Sequence, residues 1–299
     1  MEGEMESRTP SIIDLNAELA KLTMFRGRTP QSTMADRKGS GARLASYRDG
    51  ALFTTKFAGK GHWESHLTGD ELIHILDGTA TLEIVREDGP QSFALGAGMI
   101  AVIPQAAWHR FHSPEGVTLM TATPSPSEVI ELDVDDPRTV GASRHEARRV
   151  DANSRMEREI ESGTPSIVDL NAELAKLTMF RRTPQSTVED RKGSGARLAS
   201  YRDGALFAIK FSGKDHWESH LTGDELVHIL DGTATLEIAG EDGPQSFALR
   251  AGMIAVIPQG AWHRLHSSEG ATEMTATPFP GEHIELDVDD PRTVERKPA

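Results

Sequence analysis

From about Ala42 onward, short apolar runs alternate with turn signals: ARLASYR, ALFTTKF, HWESHL, ELIHILDG, TATLEIV, QSFAL, MIAVIP, WHRFH and VTLMTAT. Runs of this length, rich in β-branched residues and closely spaced, predict about nine strands of an antiparallel sandwich or barrel. Asp49-Gly50, Asp77-Gly78 and Asp88-Gly89 are expected to close tight turns, because Gly accepts positive φ. Ahead of the strands, SIIDLNAELAKL carries the capping-type Ser11 and Asp14. Its apolar Ile12, Ile13, Leu15, Leu19 and Leu22 fall near helical spacing, which predicts one short helix from about residue 11.

The whole pattern then returns. SIIDLNAELAKLTMFR from Ser11 reappears as SIVDLNAELAKLTMFR from Ser166, and apart from the loss of Gly27 the copies stay in register to the end. Roughly 85% of about 130 aligned positions are identical. A repeat of that length is a whole domain and not a solenoid unit. The expected organisation is a first domain over 1–140, a linker over 141–165 and a second domain over 166–299. The linker is charged, nearly free of large apolar residues and partly helical in pattern. Copies this similar confirm register; they do not mark which shared residues matter.

Composition narrows the chemistry. With 46 acidic against 32 basic residues the chain repels phosphate backbones and anionic membrane surfaces, so neither nucleic acid nor membrane is an expected partner. No stretch reaches the length of a membrane span and the acidic start is unlike a signal peptide, so a soluble cytoplasmic protein is expected. There is no cysteine among the 299 residues, so any metal must be held by nitrogen and oxygen.

The polar run His62-Trp63-Glu64-Ser65-His66 lies in a strand pattern, which puts His62, Glu64 and His66 on one face. At ~3.3 Å per residue, Glu64 and His66 are about 7 Å apart and can converge on one ion, whereas His62 and His66, about 13 Å apart, cannot easily do so. Glu71 follows a turn and can return to the same site, and His109 follows the turn at Pro104 and can reach it across a barrel. In the second copy the same positions are Glu218, His220, Glu225 and His263. His62 and His216 are placed at the rim or mouth of the cavity. Trp108 and Trp262 are packing residues that, beside a ligand, can also shape a substrate pocket. His74 falls on the face opposite Glu71 and is assigned a structural or supporting role.

These spacings resemble the two motifs of the cupin superfamily. His66, Glu71 and Gly78 match the first motif, and Gly98, Pro104 and His109 match the second; the second copy matches with Gly252, Pro258, Gly260 and His263, whereas Ala106 replaces the motif Gly in the first. The resemblance implies an all-β chain of two tandem double-stranded β-helix (jelly-roll) barrels, each preceded by a short helix. It further implies a metal site of His and Glu in each barrel. One departure stands out: Glu64 and Glu218 hold the position of the first motif His. If they ligate, two His and two Glu form a hard set suited to Mn²⁺, Fe²⁺ or Zn²⁺. If Glu64 instead pairs with a cavity Arg or acts as a base, two His and one carboxylate remain, the arrangement typical of non-haem iron oxygenases.

The fold hosts many chemistries. The leading expectation is a metal-dependent enzyme acting on a small polar molecule in each barrel, of dioxygenase type. The alternatives are a non-catalytic binder of a small ligand or metal, and a metal-dependent hydrolase, lyase or isomerase. Fused copies are expected to pair as an intrachain pseudo-dimer, with further homo-oligomers open.

Overall fold

The computed structural model describes residues 9–140 and 164–294. The expected linker, 141–165, therefore lies outside the described residues apart from Thr164 and Pro165.

The first copy forms β1 (Ser11–Asp14), α1 (Leu15–Ala20), β2 (Phe25–Arg28), β3 (Gly41–Tyr47), β4 (Gly50–Lys60), β5 (Trp63–His66) and β6 (Glu71–Arg86). It continues with β7 (Gly89–Gly96), β8 (Met99–Ile103), β9 (His109–Pro124) and β10 (Ser127–Ile130). The second copy repeats this as β11 (Ser166–Asp169), α2 (Leu170–Leu174), β12 (Phe180–Arg182), β13 (Gly195–Tyr201), β14 (Gly204–Lys214) and β15 (Trp217–His220). Then follow β16 (Glu225–Gly240), β17 (Gly243–Arg250), β18 (Met253–Ile257), β19 (His263–Pro278) and β20 (Gly281–Ile284). The fold is two tandem all-β barrels. The first sheet runs β10-β5-β9-β6-β8-β11 with β4 on β9, β2 and β3 on β4, and β7 on β6. The second runs β1-β18-β16-β19-β14-β12 with β13 on β14, β15 on β19 and β20, and β17 on β16.

Each sheet is thus completed by the leading strand of the other sequence copy. Ser166–Asp169 pairs antiparallel with β8, Ile167 opposite Ala101, and Ser11–Asp14 pairs with β18, Ile12 opposite Ala255. Ile167 packs against the core of the first barrel and Ile12 against that of the second. Accordingly one compact unit is Glu18–Asp169 and the other joins Met1–Ala17 to Leu170–Ala299, a division that differs from the sequence repeat by its leading strands. The segment expected to be a single helix from about residue 11 splits in two for this reason. Ser11–Asp14 spends its backbone hydrogen bonds on β18, and the helix starts only at Leu15, where Asp14 Oδ1 accepts from the Ala17 amide at 3.0 Å.

Two pairs of expected strands are also single elements. ELIHILDG and TATLEIV form the continuous 16-residue β6, and WHRFH and VTLMTAT form the 16-residue β9. Asp77-Gly78 is consequently no hairpin turn but a kink where the β6–β9 register shifts. Gly78 takes φ +77°, and a Cβ there would lie 2.2 Å from the Gly116 carbonyl oxygen, so only glycine lets the long strand bend around the barrel. Asp49-Gly50 and Asp88-Gly89 do lie at the β3–β4 and β6–β7 hairpins. Inward positions of β6, Ile73, Ile75, Leu82 and Ile84, close on Phe57, Ile103 and Leu119 to form the core of the first barrel. Val227, Ile229, Leu236 and Ile238 do the same in the second. No helix of the described residues is long and apolar enough to cross a membrane.

Candidate metal centre in each barrel

Three strand ends converge at one side of each barrel. β5 supplies Glu64 and His66, the first residue of β6 is Glu71, and the first residue of β9 is His109. Antiparallel pairing sets Glu64 directly opposite His109 and places Ser127 of β10 opposite His66. The loops are tied together as well: Gln105 Nε2 donates to the Leu67 carbonyl at 2.6 Å, and its amide donates to Asp70 Oδ1 at 3.0 Å. The turn before Glu71 is thereby fastened to the turn before His109. That second turn requires a left-handed residue, which is Gly260 at φ +74° in the second barrel but Ala106 at φ +63° in the first.

The result is a buried cluster. His66, Glu71 and His109 are 3%, 3% and 0% exposed, so these polar groups are withdrawn from water. His109 Nε2 lies 2.9 Å and His66 Nε2 3.4 Å from Glu71 Oε2. The remote atoms are anchored elsewhere: His109 Nδ1 is 3.1 Å from the Ala107 carbonyl, His66 Nδ1 is 2.9 Å from Ser127 Oγ, and Thr123 Oγ1 donates to Glu71 Oε1 at 2.6 Å. Each ring therefore turns Nε2 toward the centre, and the carboxylate turns Oε2. These three inward atoms are buried without a satisfied hydrogen bond among the described residues. Donor atoms of His66, Glu71 and His109 lie within 4.8 Å of one another, a group able to hold a metal ion. Two imidazoles and a carboxylate, with outer atoms fixed by a hydroxyl or carbonyl, fit a borderline divalent ion.

The second barrel repeats this with Glu218 included: Glu218, His220, Glu225 and His263 form one group of four. His263 Nε2 lies 2.8 Å from Glu225 Oε2, and His220 Nε2 lies 3.4 Å from it. Glu218 reaches within 3.7 Å of His263 and 3.9 Å of His220. In the first barrel Glu64 lies 3.5 Å from His62 Nε2 and 3.8 Å from His109 Nε2, and Glu218 keeps the corresponding contact with His216 Nε2 at 3.8 Å. His62, expected at the rim, is buried and partners Glu64. Trp108 is partly buried, whereas Trp262 packs in a small apolar cluster with Trp217 and Ala239. His74 is buried away from the cluster, and desolvation lowers its pKa to about 4, so it is neutral at pH 7.

Electrostatics couple each Glu to its two His. Burial works to raise the Glu71 and Glu225 carboxyls, yet the neighbouring His109 and His66, or His220 and His263, hold them well below the usual carboxylate range. Burial likewise works against the His263 cation, but Glu225 and Glu218 raise it to about 9; His109 is raised in the same way by Glu71 and Glu64. In the absence of a cation, protons supply the positive charge that the carboxylates demand.

Sequence reading did not anticipate a second set of charges. In the second barrel Asp215, 5% exposed, forms an ion pair with Arg182, lies 3.2 Å from Arg191 Nη2 and 3.1 Å from His216 Nδ1. Glu273 is buried at a core position of β19, and desolvation raises its pKa to about 8 despite the opposing pull of Arg182. In the first barrel the same places hold Gly61 and Leu119, while Arg28 is the unchanged counterpart of Arg182. The available signal was the short list of differences between the copies, two of which put acids where the first copy has Gly61, in a connection between strands, and Leu119, in a strand.

Comparison with known proteins bears on the fold. Residues 206–277 match the family model described as the Cupin domain. No curated protein matches the sequence. Among similar solved structures is oxalate decarboxylase from Bacillus subtilis at pH 4.6, 13% identical, with 82% of this chain and 73% of that chain covered and a TM-score of 0.50. A point mutant of the same enzyme aligns at 14% identity over 78% of this chain and 71% of that chain, with a TM-score of 0.49. At such identity the likeness is one of fold.

Proposed function

From the match of residues 206–277 to the Cupin domain and the two tandem barrels, we propose that the chain is a tandem cupin and a metal-dependent enzyme acting on a small polar organic molecule. One divalent ion, Mn²⁺, Fe²⁺ or Zn²⁺, would be held by His66, Glu71 and His109 in the first barrel, and one by Glu218, His220, Glu225 and His263 in the second. The observation that carries this reading is the convergence of buried donor atoms in each barrel, with His66 Nε2, Glu71 Oε2 and His109 Nε2 of the first and His220 Nε2 of the second lacking hydrogen-bond partners among the described residues. Leaving such atoms unmatched costs about 1–3 kcal/mol each, a cost that a shared cation removes.

When bound, the ion supplies Lewis acidity toward a substrate oxygen, or a site at which dioxygen can react. The chain's own residues do the rest. Ser127 and the Ala107 carbonyl fix the rings, Thr123 fixes the carboxylate, and the buried walls exclude water. The first barrel's set of two His and one carboxylate supports dioxygenase-type chemistry, because three protein donors leave positions for two reactants. The Glu64–His62 pair favours a second reading. A carboxylate and an imidazole 3.5 Å apart beside the cluster can take or return a substrate proton, as a lyase, isomerase or hydrolase requires.

Elemental analysis of purified protein tests the common part. About two divalent ions per chain are expected, lost when His66→Ala and His220→Ala are combined; a content under about 0.2 per chain, indifferent to both changes, contradicts it. Oxygen uptake against a panel of small acids and diketones separates the two readings. Substrate loss with stoichiometric uptake supports the dioxygenase, and substrate loss without uptake supports proton-transfer chemistry.

A further inference from the structure

Arg28, the last residue of β2, is half-buried with its guanidinium 4.4 Å above the Phe57 ring. Its Nε, like that of Arg182, is fully buried without a hydrogen-bond partner, but whereas Arg182 pairs with Asp215, no carboxylate among the described residues lies within ion-pair distance of Arg28. A guanidinium stays charged in a protein, and a withdrawn charge needs a counter-ion. Burial already lowers its proton affinity, and Glu64 offsets this only through its field.

The second barrel shows what fills the same place. There Asp215 pairs with Arg182, and the backbone has the same course in both barrels: the Gly61 amide donates to the Phe111 carbonyl at 2.8 Å, and the Asp215 amide to the Leu265 carbonyl at 2.9 Å. A Cβ built on Gly61 would lie 3.5 Å from Arg28 Nη2 and 3.6 Å from its Cζ. The missing side chain of Gly61 is thus the missing counter-ion of Arg28. The other groups gathered by Asp215, Arg191 and His216, have counterparts in Arg37 and His62. Arg37 bonds only to the Thr33 carbonyl and Met34 sulfur, so it too lacks a carboxylate among the described residues.

We propose that the first barrel binds a small organic carboxylate whose carboxylate group takes the place beside Arg28 that Asp215 occupies in the second barrel. The two barrels then differ in ligand class: the first accepts an anion, and the second, already neutralised by Asp215, does not. This names the substrate class of one of the two sites and rests on the reading of that barrel as a substrate-binding metal centre.

Isothermal titration of metal-loaded, full-length protein with malonate as probe tests it. One dominant site per chain is expected. Gly61→Asp, which installs the second barrel's own counter-ion, and Arg28→Met are each expected to weaken it by about 30-fold or more. Asp215→Gly is expected to add a second site of similar strength. Wild-type protein that binds no malonate or binds at two equivalent sites, or unchanged binding in Gly61→Asp, overturns the proposal. Metal content of the same samples keeps the two readings apart. Two ions per chain without Arg28-dependent binding removes only this inference, whereas Arg28-dependent binding without metal removes only the metal assignment.

Discussion

In the first barrel Arg28 lies over Phe57 facing Gly61, and Leu119 fills the core; in the second, Arg182 grips a buried aspartate, and Glu273 stands where the leucine was. Around these positions the barrels are nearly the same molecule, down to the threonine that holds each cluster carboxylate at 2.6 Å. The conserved half of the comparison is the His and Glu cluster, and the divergent half is the charge balance beside it. Duplication has kept the donors for a cation and altered what can approach them.

The comparison can be broken most severely at its shared part. Glu71→Gln and Glu225→Gln each remove a central anionic donor, and each is expected to lower metal content from about two ions per chain to about one, with over 100-fold weaker binding at the altered barrel. Metal titration by mass spectrometry of the intact protein checks this, and two ions retained by either variant would refute the shared site. The next largest effect separates the barrels. Arg182→Met takes from buried Asp215 its ion-pair partner, leaving Arg191 and His216 beside it, and is expected to cost about 3 kcal/mol, whereas Arg28→Met strands no carboxylate and is expected to cost under about 1 kcal/mol. Denaturant unfolding resolves the two, and equal losses would contradict the asymmetry.

Glu273→Leu, which copies the first barrel, sharpens the contrast through pH. The folded-state pKa of about 8 lies above the ordinary 4.5, so the unfolded chain releases this proton first as pH rises. Below about pH 4.5 the residue has no effect; between there and about pH 8 it progressively destabilises the fold, and above that the loss is complete. In metal-stripped protein the variant should therefore gain stability at pH 8, on the order of a few kcal/mol, and gain none from this source at pH 4. A pH-independent gain would show packing alone. The smallest expected effect concerns His66, whose Nδ1 is held by Ser127, while the equivalent His220 faces Gly281 and has an unpartnered Nδ1. Ser127→Gly should weaken metal binding in the first barrel about tenfold, bringing it toward the second.

Much of this was legible from residues alone. Two-residue alternation and turn signals marked the barrel, and the fixed spacing of His66, Glu71 and His109 marked the cluster, because those positions answer to local strand geometry. Long-range pairing was not legible. Ser11–Asp14 reads as helix by its own pattern, and only the free edge of β18, in the other copy, makes it a strand. Asp77-Gly78 has the residues of a hairpin turn, but a strand bending past Gly116 needs the same glycine conformation. Arg28 carried no signal either, since an arginine ending a short strand usually faces water; its importance emerges only beside Gly61 and in contrast with Arg182 and Asp215.

Anomalous diffraction from metal-soaked crystals is the most direct test of the central claim that each barrel holds one divalent ion on its His and Glu cluster. The account predicts two peaks per chain, one within about 2.0–2.3 Å of donor atoms on His66, Glu71 and His109 and one equally close to His220, Glu225 and His263. Clusters without a peak at metal concentrations that load surface sites would contradict it.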